Sequence, residues 1–138
     1  RHEHKEAIEH ASRQMNHDVE IVELRKSSEL DSTIDGLILP GGESTTMRIA
    51  SQSESLLDGI FDWMESNPSR PVLGTCAGAM LLANPKNINC EPVAYLENEV
   101  VGVLQDNKLA LTFHPELTKD RRFHRWLIAR IASSKMAN

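Results

Sequence analysis

Apolar and polar positions along the chain alternate between two periods. Over residues 1–16, His4, Ala7, Ile8, Ala11 and Met15 recur every three or four positions, the stripe of an amphipathic helix. Residues 19–24, Val-Glu-Ile-Val-Glu-Leu, read as a short strand, and a polar loop follows through Ser32. From 34 to 39 the chain is almost uninterruptedly apolar and runs into Pro40-Gly41-Gly42, which predicts a strand covered on both faces. Residues 44–51 predict a short helix. A longer one follows, with Leu56, Leu57, Ile60, Phe61 and Met64 on one side, and Asn67-Pro68 stops it. Residues 71–75 form the next buried strand, feeding a helix over 77–83.

The pattern changes after Glu91. Residues 92–97, 100–104 and 109–113 predict three strands, parted by Asn98-Glu99 and Gln105-Asp106-Asn107, and such short connections favour antiparallel hairpins. A last helix is expected over 119–133, with Phe123, Trp126, Leu127 and Ile131 facing inward. Helices alternating with buried strands in the first half imply an α/β fold whose mostly parallel sheet is flanked by helices on both sides. The turns at Gly41-Gly42 and at Cys76 then fall at the carboxyl ends of neighbouring strands, where open α/β sheets place their sites. Two features sit awkwardly in this plan. Sheets of this kind normally begin with a strand, yet the chain opens inside a helix. Residues 84–89 must also end a helix and reach the hairpins in very few positions.

Composition narrows the function. The 138 residues, 15.5 kDa, suit one domain spanning 1–138, with a core of ordinary size. A net charge of −5 argues against a nucleic-acid surface, and no apolar stretch is long enough to span a bilayer. Two cysteines, one in a reactive-looking setting, point to a reducing cytoplasm rather than a disulfide scaffold.

The candidate chemistry lies in three segments. Cys76 stands between two glycines in Gly74-Thr75-Cys76-Ala77-Gly78, on a strand-to-helix turn where a Cβ two residues away would crowd the backbone. Unpaired N–H groups at a helix start, and a nearby imidazole, lower a thiol's pKa and supply the thiolate that attacks carbonyls. Phe113-His114-Pro115-Glu116 offers that imidazole: His114 as general base, and Glu116 to orient it, since alternate residues of an extended segment share a face. Pro40-Gly41-Gly42-Glu43-Ser44 follows a buried strand with a di-glycine whose N–H groups can point at an anion, with the N–H of Ala77 as a second donor. A plain strand-to-helix turn with Ser44 or Thr45 as N-cap would look similar. Other candidates are bland. His2, His4 and His10 lack the spacing of a zinc pair and read as solvated or core-edge, Cys90 as incidental, and Trp63 and Trp126 as core. Lys119-Asp120-Arg121-Arg122 reads as the charged first turn of the last helix.

Taken together, Pro40-Gly41-Gly42-Glu43-Ser44-Thr45-Thr46, Gly74-Thr75-Cys76-Ala77-Gly78 and Phe113-His114-Pro115-Glu116-Leu117 resemble the class I (triad) glutamine amidotransferases. The Glu-Ser-Thr-Thr extension, the Phe-His-Pro-Glu-Leu-Thr form and the opening Glu3-His4 resemble the branch that serves as glutaminase subunit of pyridoxal 5′-phosphate synthase. The resemblance implies a flavodoxin-like three-layer fold and hydrolysis of L-glutamine to glutamate and ammonia. It implies Cys76 as nucleophile, His114 as base and Glu116 as its partner. Gly42 and Ala77 become the oxyanion donors, with Gly42, Glu43 and Ser44 holding glutamine. It further implies no metal or cofactor, and a synthase subunit that receives the ammonia. By the same comparison a first strand is missing before Arg1, and a segment is missing near 84–90 that carries an arginine of the substrate pocket. Two other readings stay open: a glutaminase feeding a histidine or purine pathway, and a non-catalytic binding module of the same fold.

Overall fold

In a computed structural model, described here over residues 2–41, 54–75 and 90–136, the elements appear in this order. Helix α1 spans His2–Met15, strand β1 Leu37–Leu39, helix α2 Glu54–Ser66 and strand β2 Val72–Thr75. Strands β3 (Cys90–Leu96), β4 (Glu99–Gln105) and β5 (Lys108–Leu111) follow, and helix α3 (Arg122–Met136) closes the series. Short 3-10 turns occupy Ser27–Glu29 and Pro115–Leu117.

The five strands form one sheet in the order β1-β2-β5-β4-β3. Strand β2 pairs in parallel with both β1 and β5, whereas β5-β4 and β4-β3 are antiparallel, so the hairpins extend the parallel core as one continuous sheet. Because successive side chains of a strand point to opposite faces, β2 feeds two cores. Val72 joins Leu37 and Leu39 against Ile60, Trp63 and Met64 of α2. Leu73 joins Leu109 and Leu111 against Ile8 and Ala11 of α1 and Leu127 and Ile128 of α3. Helices thus cover both faces, giving the three layers expected.

Helix α1 buries the stripe that the sequence drew, with Ala7 and Ala11 fully inside. Its polar edge is tied to α3 and to the residue before it: Arg125 Nη1 of α3 donates to Gln14 Oε1 at 2.8 Å, and Arg121 Nε to His10 Nδ1 at 3.3 Å.

Several expectations need revision. Residues 19–24 join no ladder; Ile21 and Val22 are exposed. β-Branched residues supply strand propensity, but a strand also needs a neighbour to take its hydrogen bonds. The strand expected over 34–39 is ordered as a ladder only at Leu37–Leu39. Helix α3 starts three residues later than expected, because Asp120 stands outside it and accepts from the Arg122 backbone N–H at 3.0 Å. Lys119, Asp120 and Arg121 therefore lead into the helix rather than form its first turn. The helices expected over 44–51 and 77–83 lie outside the described residues, as do residues 84–89.

Candidate active site

Register fixes what meets at one edge of the sheet. Leu39 lies beside Gly74, and Thr75 beside Leu111, so β1, β2 and β5 end together at their carboxyl ends. The chain leaves β1 through Pro40-Gly41, β2 through Thr75, and β5 through Thr112-Phe113-His114. Gly41 N–H donates to Thr75 Oγ1 at 3.3 Å, which ties the first two exits to each other.

The third exit is shaped by packing. Thr112 N–H donates to Val101 O at 2.9 Å, and Phe113 meets Phe123 of α3 edge-to-face with ring centroids 5.5 Å apart. Buried Pro115 then opens a 3-10 turn at its favoured first position, closed by Leu117 N–H to His114 O (3.2 Å) and Thr118 N–H to Pro115 O (3.1 Å). This turn brings His114 Nδ1 to 2.9 Å from Glu116 Oε2. The expected contact is present, but the extended segment expected to make it is not. A tight turn, rather than an alternating strand, puts the two side chains on one side.

Glu116 is 7% exposed at its side chain and His114 34%, so the carboxylate is sequestered while the imidazole keeps an open side. With Nδ1–H donated to the carboxylate, Nε2 is the nitrogen left to take up and release protons.

Behind Glu116 lies a second layer. His4 of α1, 6% exposed, places Nε2 3.2 Å from Thr75 Oγ1 and 3.4 Å from Glu116 Oε2, and Nδ1 3.1 Å from His124 Nε2. Burial pushes the His4 imidazole below its ordinary pKa, though the Glu116 charge opposes this. Burial, with His4 and Arg121 adding to it, holds His124 down to about 4. Both rings are therefore neutral near pH 7, and their tautomers follow. A bare Nε2 lone pair on His4 would face a carboxylate, so we assign the proton to Nε2, leaving Nδ1 to accept from His124 Nε2–H. His124 Nδ1 then carries only a lone pair. It has no hydrogen-bond partner among the described residues, and a buried bare acceptor is less costly than a buried bare N–H.

Of the residues singled out from the sequence, His114 and Glu116 come together in this way. Cys76, Ala77, Gly42, Glu43 and Ser44 lie outside the described residues; their immediate neighbours Thr75 and Gly41 are the ones in contact. Trp63 is buried in the α2 core, Trp126 packs at the margin of the other, and Cys90 is exposed. Sequence reasoning missed His4, Thr75 and His124. His4 carried a readable signal, because it opens the stripe continued by Ala7, Ile8 and Ala11 and so had to point inward. Among the described residues no group of three or more His, Cys, Asp or Glu side chains is arranged to hold a metal ion, and no helix is long and apolar enough to cross a membrane.

The geometry therefore offers a buried carboxylate, a half-open imidazole and a strand end one residue short of a cysteine. Residues 1–97 match the model of the SNO glutamine amidotransferase family. The chain belongs to that family. Relatives include the "Pyridoxal 5'-phosphate synthase subunit PdxT" of Pyrococcus furiosus, 28% identical with 94% of this chain and 92% of the relative covered. The proteins of the same name from Thermococcus onnurineus (30% identical, 91% of each) and Methanocorpusculum labreanum (32%, 92% and 93%) are similar too. The alignment to the first runs over 185 positions, more than the 138 residues here, so that relative has internal positions without a counterpart in this chain. Among solved structures, one titled "Crystal structure of glutamine amidotransferase" superposes with a TM-score of 0.74 at 26% identity, over 95% of this chain and 93% of that one. A putative GMP synthase subunit from Thermoplasma acidophilum (TM-score 0.58, 18% identity, 93% and 86% covered) shares the fold.

Proposed function

We propose that this chain is a glutaminase that hydrolyses L-glutamine to L-glutamate and ammonia as the glutaminase subunit of a pyridoxal 5′-phosphate synthase. The observation that carries the reading is the shared name of relatives covered over nine-tenths of their length. The His114–Glu116 pair at the carboxyl edge of the sheet supports it independently.

Cys76 is the nucleophile in this reading. Its thiolate adds to the carboxamide carbon of glutamine, and the N–H groups of Gly42 and Ala77 receive the oxyanion. His114, having taken the thiol proton, gives it from Nε2 to the departing nitrogen; ammonia leaves and a glutamyl thioester remains. Water then attacks the thioester with His114 as base, and glutamate and the thiol are released. Glu116 keeps the Nδ1–H tautomer and stabilises the imidazolium that forms between the two transfers. Gly42, Glu43 and Ser44 hold the substrate. The ammonia passes to a synthase subunit bound to this one.

Ammonia release from glutamine, followed with the synthase partner present, tests the reading. Cys76→Ala is expected to lower kcat by at least about 10³-fold, and His114→Ala to a comparable degree. A Cys76→Ala protein that still turns over glutamine at the parent rate refutes the mechanism.

A further inference from the structure

The mechanism uses one face of Glu116 and leaves the buried layer behind it without a role. We propose that His4 is a positioning residue: its imidazole ties Thr75, the residue before Cys76, to Glu116 and so fixes the carboxylate beneath His114.

The geometry makes His4 the one described side chain that touches both halves of the site. Its Nε2 is 3.2 Å from the hydroxyl that ends β2 and 3.4 Å from the carboxylate oxygen that His114 uses. The same Glu116 Oε2 therefore meets two imidazoles, at 2.9 Å from His114 and 3.4 Å from His4. The Thr75 hydroxyl in turn accepts from Gly41 N–H, so one chain of contacts joins the exits of β1, β2 and β5. Its far end is anchored by His124 on α3, which meets His4 Nδ1 at 3.1 Å and is fully buried. A neutral donor suits the task. It restrains the carboxylate without placing a second positive charge beside it, which would weaken its hold on the His114 imidazolium. Glu116 sits on a turn of only three residues, which by itself leaves the long side chain free to rotate.

Two substitutions separate this role from simple support of the fold. His4→Asn keeps an amide near the Nδ1 position, within reach of His124, but is too short to reach Thr75 and Glu116. His4→Gln carries its amide to the Nε2 position. Nitrogen-15 shifts of the His114 ring report which tautomer it holds. They are expected to show Nδ1–H in the parent and in His4→Gln, and a mixture in His4→Asn. Glutamine turnover should follow, with kcat lower by about ten- to a hundred-fold in the asparagine variant, KM nearly unchanged, and most of the rate regained in the glutamine variant. An unchanged His114 tautomer in His4→Asn overturns the proposal; so does its loss in both variants, or its absence from the parent. The inference takes His114–Glu116 as the base pair of the proposed glutaminase, but the tautomer measurement needs no turnover. A protein with the expected shifts and no glutaminase activity would sink the proposed function and leave the role of His4 standing.

Discussion

His124 shows how a single side chain sets a pH limit on the whole protein. Its ring is buried and neutral, with a pKa near 4 against an ordinary 6.5, so the unfolded chain binds a proton there more readily than the folded one between those values. Stability is then complete above about pH 6.5 and is lost as pH falls toward 4. The loss from this one group between pH 7 and 5 amounts to about 2 kcal/mol, with His4, shifted the same way, adding to it. Urea unfolding at the two pH values measures this. His124→Gln should flatten the dependence, and an equal slope in that variant would show that other groups cause it. None of this was visible from the chain. The α1 stripe shows His4 facing inward, but only the packing of α1 on α3 tells that it meets His124.

At the scale of the elements, β2 is the strand that contributes a buried residue to each of the two cores. Leu73 of β2 is fully buried among six buried apolar residues from α1, β5 and α3, so Leu73→Ala is expected to cost about 2–5 kcal/mol in chemical denaturation. Gly102 of β4 has the opposite problem. A Cβ there would lie 2.8 Å from Leu111 Cδ2 and 2.9 Å from Ala94 Cβ, squeezed between both neighbouring strands. Gly102→Ala should therefore lower the melting temperature by overpacking, at a cost of about 1–3 kcal/mol, despite the better strand propensity of alanine. Elements whose signal is local were legible in advance: the α1 stripe, α2 up to its Asn67-Pro68 stop, and the short breaks between the hairpin strands, although these fall at Glu97-Asn98 and Asp106-Asn107 rather than at Asn98-Glu99 and Gln105-Asp106-Asn107. What failed depended on partners. Residues 19–24 are rich enough in β-branched side chains to read as a strand, but they join no ladder. The His114–Glu116 contact was legible from two residue types at a short spacing, whereas its turn was not, because burial of Pro115 and the Phe113–Phe123 contact arise only in the folded molecule.

For the whole molecule, the decisive property is that three separate exits from one sheet edge must agree in position. Of the Gly41-Gly42 exit, Gly41 is described, and its N–H donates to Thr75 Oγ1 at 3.3 Å. A di-glycine peptide, with no Cβ on either residue to restrict it, can rest with its N–H turned away from the substrate until a bound subunit sets it. Glutamine hydrolysis should accordingly rise by about 10²-fold when the synthase partner is added, and equal rates with and without it would contradict this.

The insertion of β5 beside β2 carries a last consequence. Strand β5 begins at Lys108, yet it is the direct neighbour of the strand that leads into Cys76. A chain still emerging from the ribosome carries Cys76 before it carries His114, the base that the proposed mechanism assigns to it. In the proposed mechanism, copies that stop short of His114 lack the base, and competence arrives only once β5 and the turn after it have been made.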